Sequence, residues 1–346
     1  MSRTRIRTRT VLALTASTLM LTTAACSSTG DGGDGAEIEA ETETQGETET
    51  ETEEAAAADA YPTEDITLIV QAAAGGGSDL SSRALAAELE PALGVSIVVE
   101  NRPGASGSTA MQYVGDQEAD GYTIGFAPVE IAMLGHQDFD VDPADYDFLG
   151  QIMLAPGVLS VPVDSPYETL EDFLAAGESE ELSVANSGAG SIWEAAALGL
   201  AEETGAQMTP VPFDGGAPAL AAAVGGQVDA AVAGAGETTA AFEQGQVRPL
   251  AVFHDERLED MPDVPTAAEA GADLQFGGWG GIYAPAGLPD DVRETLEDAI
   301  ADAAASDGFT ETITAAGNLA VYKDSAELTE FVGSEYDRFG EIFGTS

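Results

Sequence analysis

Short apolar runs alternate with longer amphipathic segments through residues 61–346. A run rich in β-branched residues predicts a strand, whereas apolar positions three and four residues apart predict a helix. Strands are predicted at Ile66–Val70, Val95–Val99, Tyr122–Phe126, Leu182–Ala185, Gln207–Val211, Val228–Val232 and Arg248–Phe253. Helices are predicted at Ser78–Leu93, through Leu198 and Leu200, and at Ala217–Val224. This alternation is typical of parallel sheets covered by helices, and two such sheets fit the length better than one.

Residues 1–25 have the features of a secretory signal peptide. Arginines between Arg3 and Arg9 precede an apolar run at Val11–Leu21, which is too short to span a bilayer. Small residues then lead to Cys26, in a segment similar to the lipobox of bacterial lipoproteins. The resemblance implies cleavage before Cys26 and a lipid on its sulfur. Ordinary secretion with an unmodified thiol is the alternative.

The composition of residues 26–60 predicts a disordered acidic linker, which begins at the cysteine that is expected to carry the lipid. This segment carries 12 acidic side chains, no basic ones and almost no large apolar side chain. Such a composition buries too little surface to offset the entropy of ordering, and its like charges repel one another. The linker would let a globular domain stand off the outer face of a membrane.

The charge balance excludes one class of function and most metal sites. The chain has 62 acidic and 11 basic residues, and its formal net charge is −51. A protein that binds nucleic acid through phosphate contacts needs a basic face, so we expect no nucleic-acid partner. One cysteine and two histidines exclude a disulfide framework and argue against a zinc site. We therefore predict no metal and no cofactor.

Glycine-rich turns stand at three predicted junctions between a strand and a helix. Glycine lets the backbone approach a ligand closely, and the helix that follows presents free N–H groups and the positive end of its dipole. Together these features favour an anion site that needs no lysine or arginine. Simple helix capping is the alternative. The turns are Ala74–Asp79, Asn186–Ser191 and Phe213–Pro218, and Ser78, Ser187 and Ser191 add hydroxyl donors.

No enzyme motif is complete, and we predict no catalytic residue. Ser187 lacks the flanking glycines of a nucleophile elbow. Lys323 is the only lysine, so no phosphate-binding loop ends in Gly-Lys. The sequence therefore favours ligand binding over catalysis.

Several longer stretches of the sequence stand out together. They are Ala74–Asp79, Val98–Gly107, Ala119–Ile124, Val211–Leu220, Gly225–Asp229, Asp263–Gly271 and Tyr283–Gly287. In these motifs and in their order the chain resembles a known family, the extracytoplasmic substrate-binding proteins of tripartite tricarboxylate transporters, from about residue 61 to 340.

This resemblance implies an α/β, two-lobed periplasmic-binding-protein fold of the type II kind. Its sheets would be rich in parallel strands and flanked by helices, with the ligand cleft between the lobes. Lobe one would hold residues 61–160 and return over 283–346, and lobe two would hold 161–282. The chain would cross between lobes near Val158–Val161 and Gly281–Ala284.

The resemblance also implies a site and partners. A small carboxylate solute would be held by backbone amides, hydroxyls and waters of the first two glycine turns, and the third turn would close the other side. The receptor, a monomer, would deliver the solute to one large and one small membrane subunit of a transporter. The ligand-binding residues implied are Gly75, Gly76, Gly77, Ser78, Asp79, Ser187, Gly188, Gly190, Ser191, Phe213, Gly215 and Gly216.

The ligand and the exact role stay open at the level of sequence. Phe213-Asp214, Glu194 and Gly280 depart from the residues that the family often carries, and each departure removes a base or a phenol hydroxyl. A monocarboxylate, a dicarboxylate or an amphoteric solute is thus as consistent as citrate, and Glu130, Glu194 or Glu237 could face a cationic group. A solute-sensing lipoprotein, or a hydrolase or lyase that uses the same cleft, is the alternative function.

We expect the folded domain to be more stable in concentrated salt. Residues 61–346 carry 50 acidic and 7 basic side chains, and salt at about 1 M shortens the Debye length to about 3 Å. Thermal unfolding at low salt and in about 2 M salt measures the effect. A higher melting temperature at low salt would contradict it.

Overall fold

The computed structural model describes residues 61–345. The predicted signal peptide, Cys26 and the predicted acidic linker lie outside the described residues. Within the described part, no helix is both long and apolar enough to cross a membrane.

The described chain alternates strands and helices over much of its length, as the hydrophobic pattern predicts, and ends in three consecutive helices. The strands are β1 (Ile66–Val70), β2 (Ile97–Asn101), β3 (Thr123–Pro128), β4 (Tyr146–Pro162), β5 (Leu182–Asn186), β6 (Met208–Pro212), β7 (Ala230–Gly234), β8 (Val247–Val252) and β9 (Gly277–Pro285). The helices are α1 (Gly77–Leu93), α2 (Ser108–Gly115), α3 (Leu170–Gly177), α4 (Ile192–Thr204), α5 (Gly216–Val224), α6 (Ala235–Glu243), α7 (Asp290–Ala304), α8 (Asp307–Ala315) and α9 (Ser325–Phe343). Short 3₁₀ turns connect several of them.

Two sets of parallel strands are joined through a long antiparallel pair. In the first set β1 pairs in parallel with β2 and β3, and in the second β5 pairs in parallel with β6 and β7. Strand β9 runs antiparallel to β3 and β4, and β4 continues to pair with β7 and β8. The strand order is therefore β2-β1-β3-β9-β4-β7-β5-β6, with β8 also on β4.

The long strand β4 was not predicted from the sequence. It spans 17 residues, and most of its side chains are buried on both faces. Such a strand lacks the alternation of apolar and polar positions that marks a half-exposed strand. The antiparallel strand β9 was also not predicted, because its glycines give it little β propensity.

The change of pairing partner along β4 falls at a single peptide bond. Residues up to Pro156 pair with β9, and residues from Gly157 pair with β7. All of β9, from Gly277, pairs either with β3 or with the part of β4 that precedes Gly157. These positions lie a few residues before the predicted crossings, and the lobe boundaries themselves stay a prediction.

Two glycine substitutions are expected to change stability in opposite directions. At Gly157 a Cβ would lie 2.8 Å from the Trp193 ring, 3.0 Å from the Phe253 ring and 3.1 Å from the carbonyl oxygen of Phe276. Gly157→Ala should therefore cost about 1–3 kcal/mol through overpacking. Gly333 is exposed inside α9 with nothing within 4 Å of its Cβ position, so Gly333→Ala should gain about 0.5–1 kcal/mol.

Denaturant unfolding of both variants measures these changes. A Gly157→Ala variant as stable as wild type would contradict the assignment of Gly157 to a tightly packed crossing between the two sets of strands, and a destabilised Gly333→Ala variant would contradict the open space at Gly333.

Candidate functional site

A cleft of about 600 Å³ lies at the carboxyl ends of the first set of parallel strands. The segments that follow β1, β2 and β3 all line it, as expected for ligand sites in open α/β sheets. The start of α4 and part of β9 complete its wall. Its lining residues are Gln71, Ala72, Ala73, Gly77, Ser78, Pro103, Gly104, Ala105, Ser106, Gly107, Phe126, Pro128, Val129, Glu130, Met153, Ala155, Ile192, Trp193, Gly278, Trp279 and Asn318.

The first glycine turn is held in shape by Asp79. Its buried carboxylate accepts a hydrogen bond from the Gly75 N–H at 2.8 Å and from the Asn101 side chain at 2.9 Å. The Arg83 guanidinium donates to both of its oxygens, at 3.0 and 3.1 Å. Hydrogen bonding to Arg83 is the main reason that the pKa of Asp79 is lowered to about 2. Asp79 does not line the cleft, and its acceptors are occupied within the protein.

The start of α1 offers donors to the cleft. Gly77 and Ser78 are its first two residues, so their N–H groups have no partner inside the helix. The Ser78 hydroxyl is held by the Gln71 side-chain amide at 2.9 Å. Of the predicted ligand-binding residues, Gly77 and Ser78 are the two that line this cleft, and Gly75 and Gly76 lie just before them.

A second donor-rich segment follows β2 and was not among the predicted site residues. Gly104, Ala105, Ser106 and Gly107 have φ angles of 145°, 48°, 55° and 101°, so two residues with side chains adopt the left-handed conformation. Such strain gathers at functional sites. The Gly107 N–H donates to the Gly104 carbonyl at 2.9 Å, whereas the N–H groups of Ala105 and Ser106 have no hydrogen bond to the described backbone, so these two are the donors that the segment offers to the cleft. The signal was available, since Arg102–Gly107 belongs to a stretch on which the family resemblance rests.

The second glycine turn lies beside the cleft, and several of its polar groups bond within the protein. The Ser191 hydroxyl caps α4 by accepting from the Glu194 N–H at 3.2 Å. The Glu194 carboxylate accepts from the Gly190 N–H at 2.5 Å, and Gln137 donates to the Gly190 carbonyl at 3.0 Å. Ser187, Gly188, Gly190 and Ser191 do not line the cleft, whereas the next two residues of α4 do. Their contact with a ligand stays a prediction.

The third glycine turn lies away from the cleft. Phe213, Gly215 and Gly216 are absent from its lining. The Glu237 carboxylate sits so close to Gly216 that a Cβ there would overlap it. An internal carboxylate thus occupies the space in front of the start of α5, and the predicted role of this turn remains untested.

No lysine, arginine or histidine is among the described residues that line the cleft. The two arginines nearest in sequence are engaged elsewhere. Arg83 pairs with Asp79, and Arg102 pairs with Glu100 at 2.8 Å and stacks on the Tyr113 ring, 3.5 Å from its centre.

Glu130 is the one charged side chain of the lining. It is partly buried at the start of the 3₁₀ turn Val129–Ala132, and its carboxylate has no hydrogen bond or ion pair to another described side chain. Burial raises the pKa of this carboxyl above its usual range, and its own backbone N–H lowers it to a lesser extent.

The aromatic and apolar side chains that line the cleft leave no room for a side chain at Gly280. A Cβ at Gly280 would overlap the Phe126 ring and lie 2.8 Å from the Met153 sulfur. Trp193 and Trp279 line the same cavity and are largely buried. This part of the lining is therefore apolar. The polar groups lie on the rim of the cleft, which consists of Gly77, Ser78 and the segment Gly104–Gly107.

Comparisons with known proteins agree on one family. Residues 81–345 match the model described as "Tripartite tricarboxylate transporter family receptor". An Agrobacterium vitis protein, "UPF0065 protein in the TAR-I ttuE-ttuC' intergenic region", is 30% identical over 295 residues, which is 83% of this chain and 85% of the relative.

Two solved structures give the same result. A TctC solute binding protein from Polaromonas has a TM-score of 0.76 and 27% identity, and covers 83% of this chain and 100% of its own. Rpa4515 from R. palustris, solved with adipate, has a TM-score of 0.71 and 29% identity, and covers 82% of this chain and 98% of its own. The α/β fold of periplasmic binding proteins that the sequence implied is confirmed.

Asp79→Asn is expected to lower the free energy of unfolding by about 2 kcal/mol at pH 7, as for hydrogen bonds to a charged group. The folded pKa of Asp79, about 2, lies below the ordinary value of 3.8. Its charge therefore stabilises the fold above about pH 5, and this contribution is lost as the pH falls through 3.8 towards 2. The difference between wild type and variant should shrink over that range in urea unfolding curves.

Asp116→Asn serves as the control, because the Asp116 carboxylate makes no hydrogen bond to the described residues. If Asp79→Asn lowers the free energy of unfolding by the same amount at pH 2.5 as at pH 7, a stabilising role of the charge is contradicted.

Proposed function

The chain belongs to the tripartite tricarboxylate transporter family of receptors, and from this premise we propose that it captures a small carboxylate solute outside the cytoplasm. It then delivers the solute to the large and small membrane subunits of a transporter. The receptor acts as a monomer held at the outer face of the cell membrane by a lipid on Cys26.

One observation carries this proposal: the cleft offers N–H groups to an anion, and its described lining contains no lysine, arginine or histidine. The first residues of α1 and the left-handed segment before α2 lie on the same wall. A carboxylate between them would receive hydrogen bonds from backbone N–H groups and the favourable end of the helix dipole. Ser78 and Ser106 add hydroxyl donors.

The second set of strands supplies the opposite wall. Ile192 and Trp193, the first residues of α4, already line the cleft. We propose that the second glycine turn, Ser187–Ser191, and then the third, Phe213–Gly216, contact the solute when the lobes close on it. Affinity would come from these contacts, which differ between the open and closed states.

A hydrolase or lyase would need a base with a shifted pKa in the cleft, and Glu130 meets that requirement. The described lining places no second acid or base and no activated nucleophile with it. We therefore propose binding without turnover. Mass spectrometry of a bound solute after long incubation separates the two, because recovery of a chemically changed solute would favour the enzyme.

A thermal-shift screen of the purified protein in high salt, against carboxylates and amino acids, tests the receptor proposal. A ligand that binds only the native state raises the melting temperature as its concentration exceeds its Kd. We expect a saturable shift with at least one small carboxylate. Absence of a shift with every carboxylate, on a folded and monodisperse sample, would overturn the proposal.

Ser78→Leu and Ser96→Leu form a matched pair for the site. A leucine at residue 78 would project into the cleft and should weaken binding at least about tenfold, which corresponds to about 1.4 kcal/mol. Ser96 is exposed before β2 and away from the cleft, so its variant should bind as wild type does. Equal affinity of both variants would remove the start of α1 from the site.

A further inference from the structure

Glu130 is a lone carboxylate in a cleft that is otherwise built for a carboxylate ligand. Its side chain has no partner of opposite charge among the described residues, and the lining supplies none. When a ligand enters and displaces water, the charge of Glu130 becomes costlier, because fewer waters remain to solvate it. A second negative charge on the ligand would add repulsion, whereas a positive charge would compensate.

The surroundings of Glu130 favour a cation. The turn that carries it begins after Pro128, which pairs with Gly280 across β3 and β9, next to Trp279 in the chain. Trp279 and Trp193 both contribute to the cavity wall, and indole faces attract cations. The cleft lining thus includes backbone N–H groups, the Glu130 carboxylate and two tryptophan rings.

A second acceptor lies in the same cleft. The Gln71 side chain donates to the Ser78 hydroxyl, and its carbonyl oxygen is buried without a hydrogen-bond partner. A buried acceptor without a donor is costly, and an N–H donor on a ligand would satisfy it.

We propose that Glu130 is the specificity-determining residue of the cleft, and that it selects amphoteric solutes that carry a protonated amine together with a carboxylate. The inference rests on the proposed receptor function. The amine binds at Glu130, and the carboxylate binds at the N–H groups of Gly77, Ser78 and the segment after β2. Solutes with two carboxylates are disfavoured by the same residue.

Matched triples of ligands test the inference by calorimetry at pH 7. One triple is 4-aminobutanoate, pentanoate and glutarate, which share a carboxylate and differ in bearing an amine, a methyl group or a second carboxylate. Shorter and longer triples of the same design cover the length of the cleft. For at least one length we expect the amino acid to bind at least about tenfold more tightly than its two analogues.

Glu130→Gln should weaken binding of the amino acid at least about tenfold, leave the monocarboxylate within about threefold, and strengthen binding of the dicarboxylate. Glu118→Gln is the control, since it removes the same charge from an exposed position outside the cleft and should leave the order of affinities unchanged. A general loss of folding would weaken all three ligands together and so would differ from the expected pattern.

Two outcomes would overturn the inference while the receptor proposal stands. One is a dicarboxylate that binds wild type as tightly as the amino acid of the same length, and the other is an unchanged order of affinities in Glu130→Gln. If no member of any triple binds, the inference fails. The receptor proposal then depends on the wider carboxylate screen, which distinguishes the two failures.

Discussion

The proposed site depends on one constraint: a carboxylate would have to be held without a basic side chain. The described lining contains no lysine, arginine or histidine, so its donors are backbone N–H groups together with the hydroxyls of Ser78 and Ser106. Such groups converge where parallel strands end and helices begin, because each helix leaves its first N–H groups without partners. The parallel order of β1, β2 and β3 is therefore what places the two donor-rich segments on the same side of the cavity.

Internal carboxylates give these turns their shape. Asp79 bonds the Gly75 N–H, and Glu194 bonds the Gly190 N–H one helical turn before it. In both cases the hydrogen bond to the acidic side chain helps to offset the large entropy that a glycine backbone loses when it is ordered. In the first turn this arrangement leaves Gly77 and Ser78 free to face the cleft, so the acidic composition helps to preorganise a site for an acid.

The sequence predicts the parallel strands and the glycine turns well, because both leave local signals. Strand β1 has the predicted bounds, and α1 differs from its prediction by one residue at the start. Local patterns do not show which turns share a cavity, since that depends on β4 and β9, whose pairing joins residues far apart in the chain. The left-handed conformation of Ala105 and Ser106 also could not be predicted from residue propensities. Neither residue type favours it, and the surrounding packing imposes it.

The electrostatics of the whole protein and of the cleft act over different distances. The excess of acidic groups in residues 61–346 repels anions at long range, and salt screens that repulsion. Backbone N–H groups act at contact distance inside a cavity, where salt screens much less. An amphoteric solute has no net charge, so it escapes the long-range repulsion and still offers a carboxylate to the rim. A selective role for Glu130 is consistent with this balance. Glu130 and the acidic protein surface are both negatively charged, so both oppose a solute that carries two carboxylates.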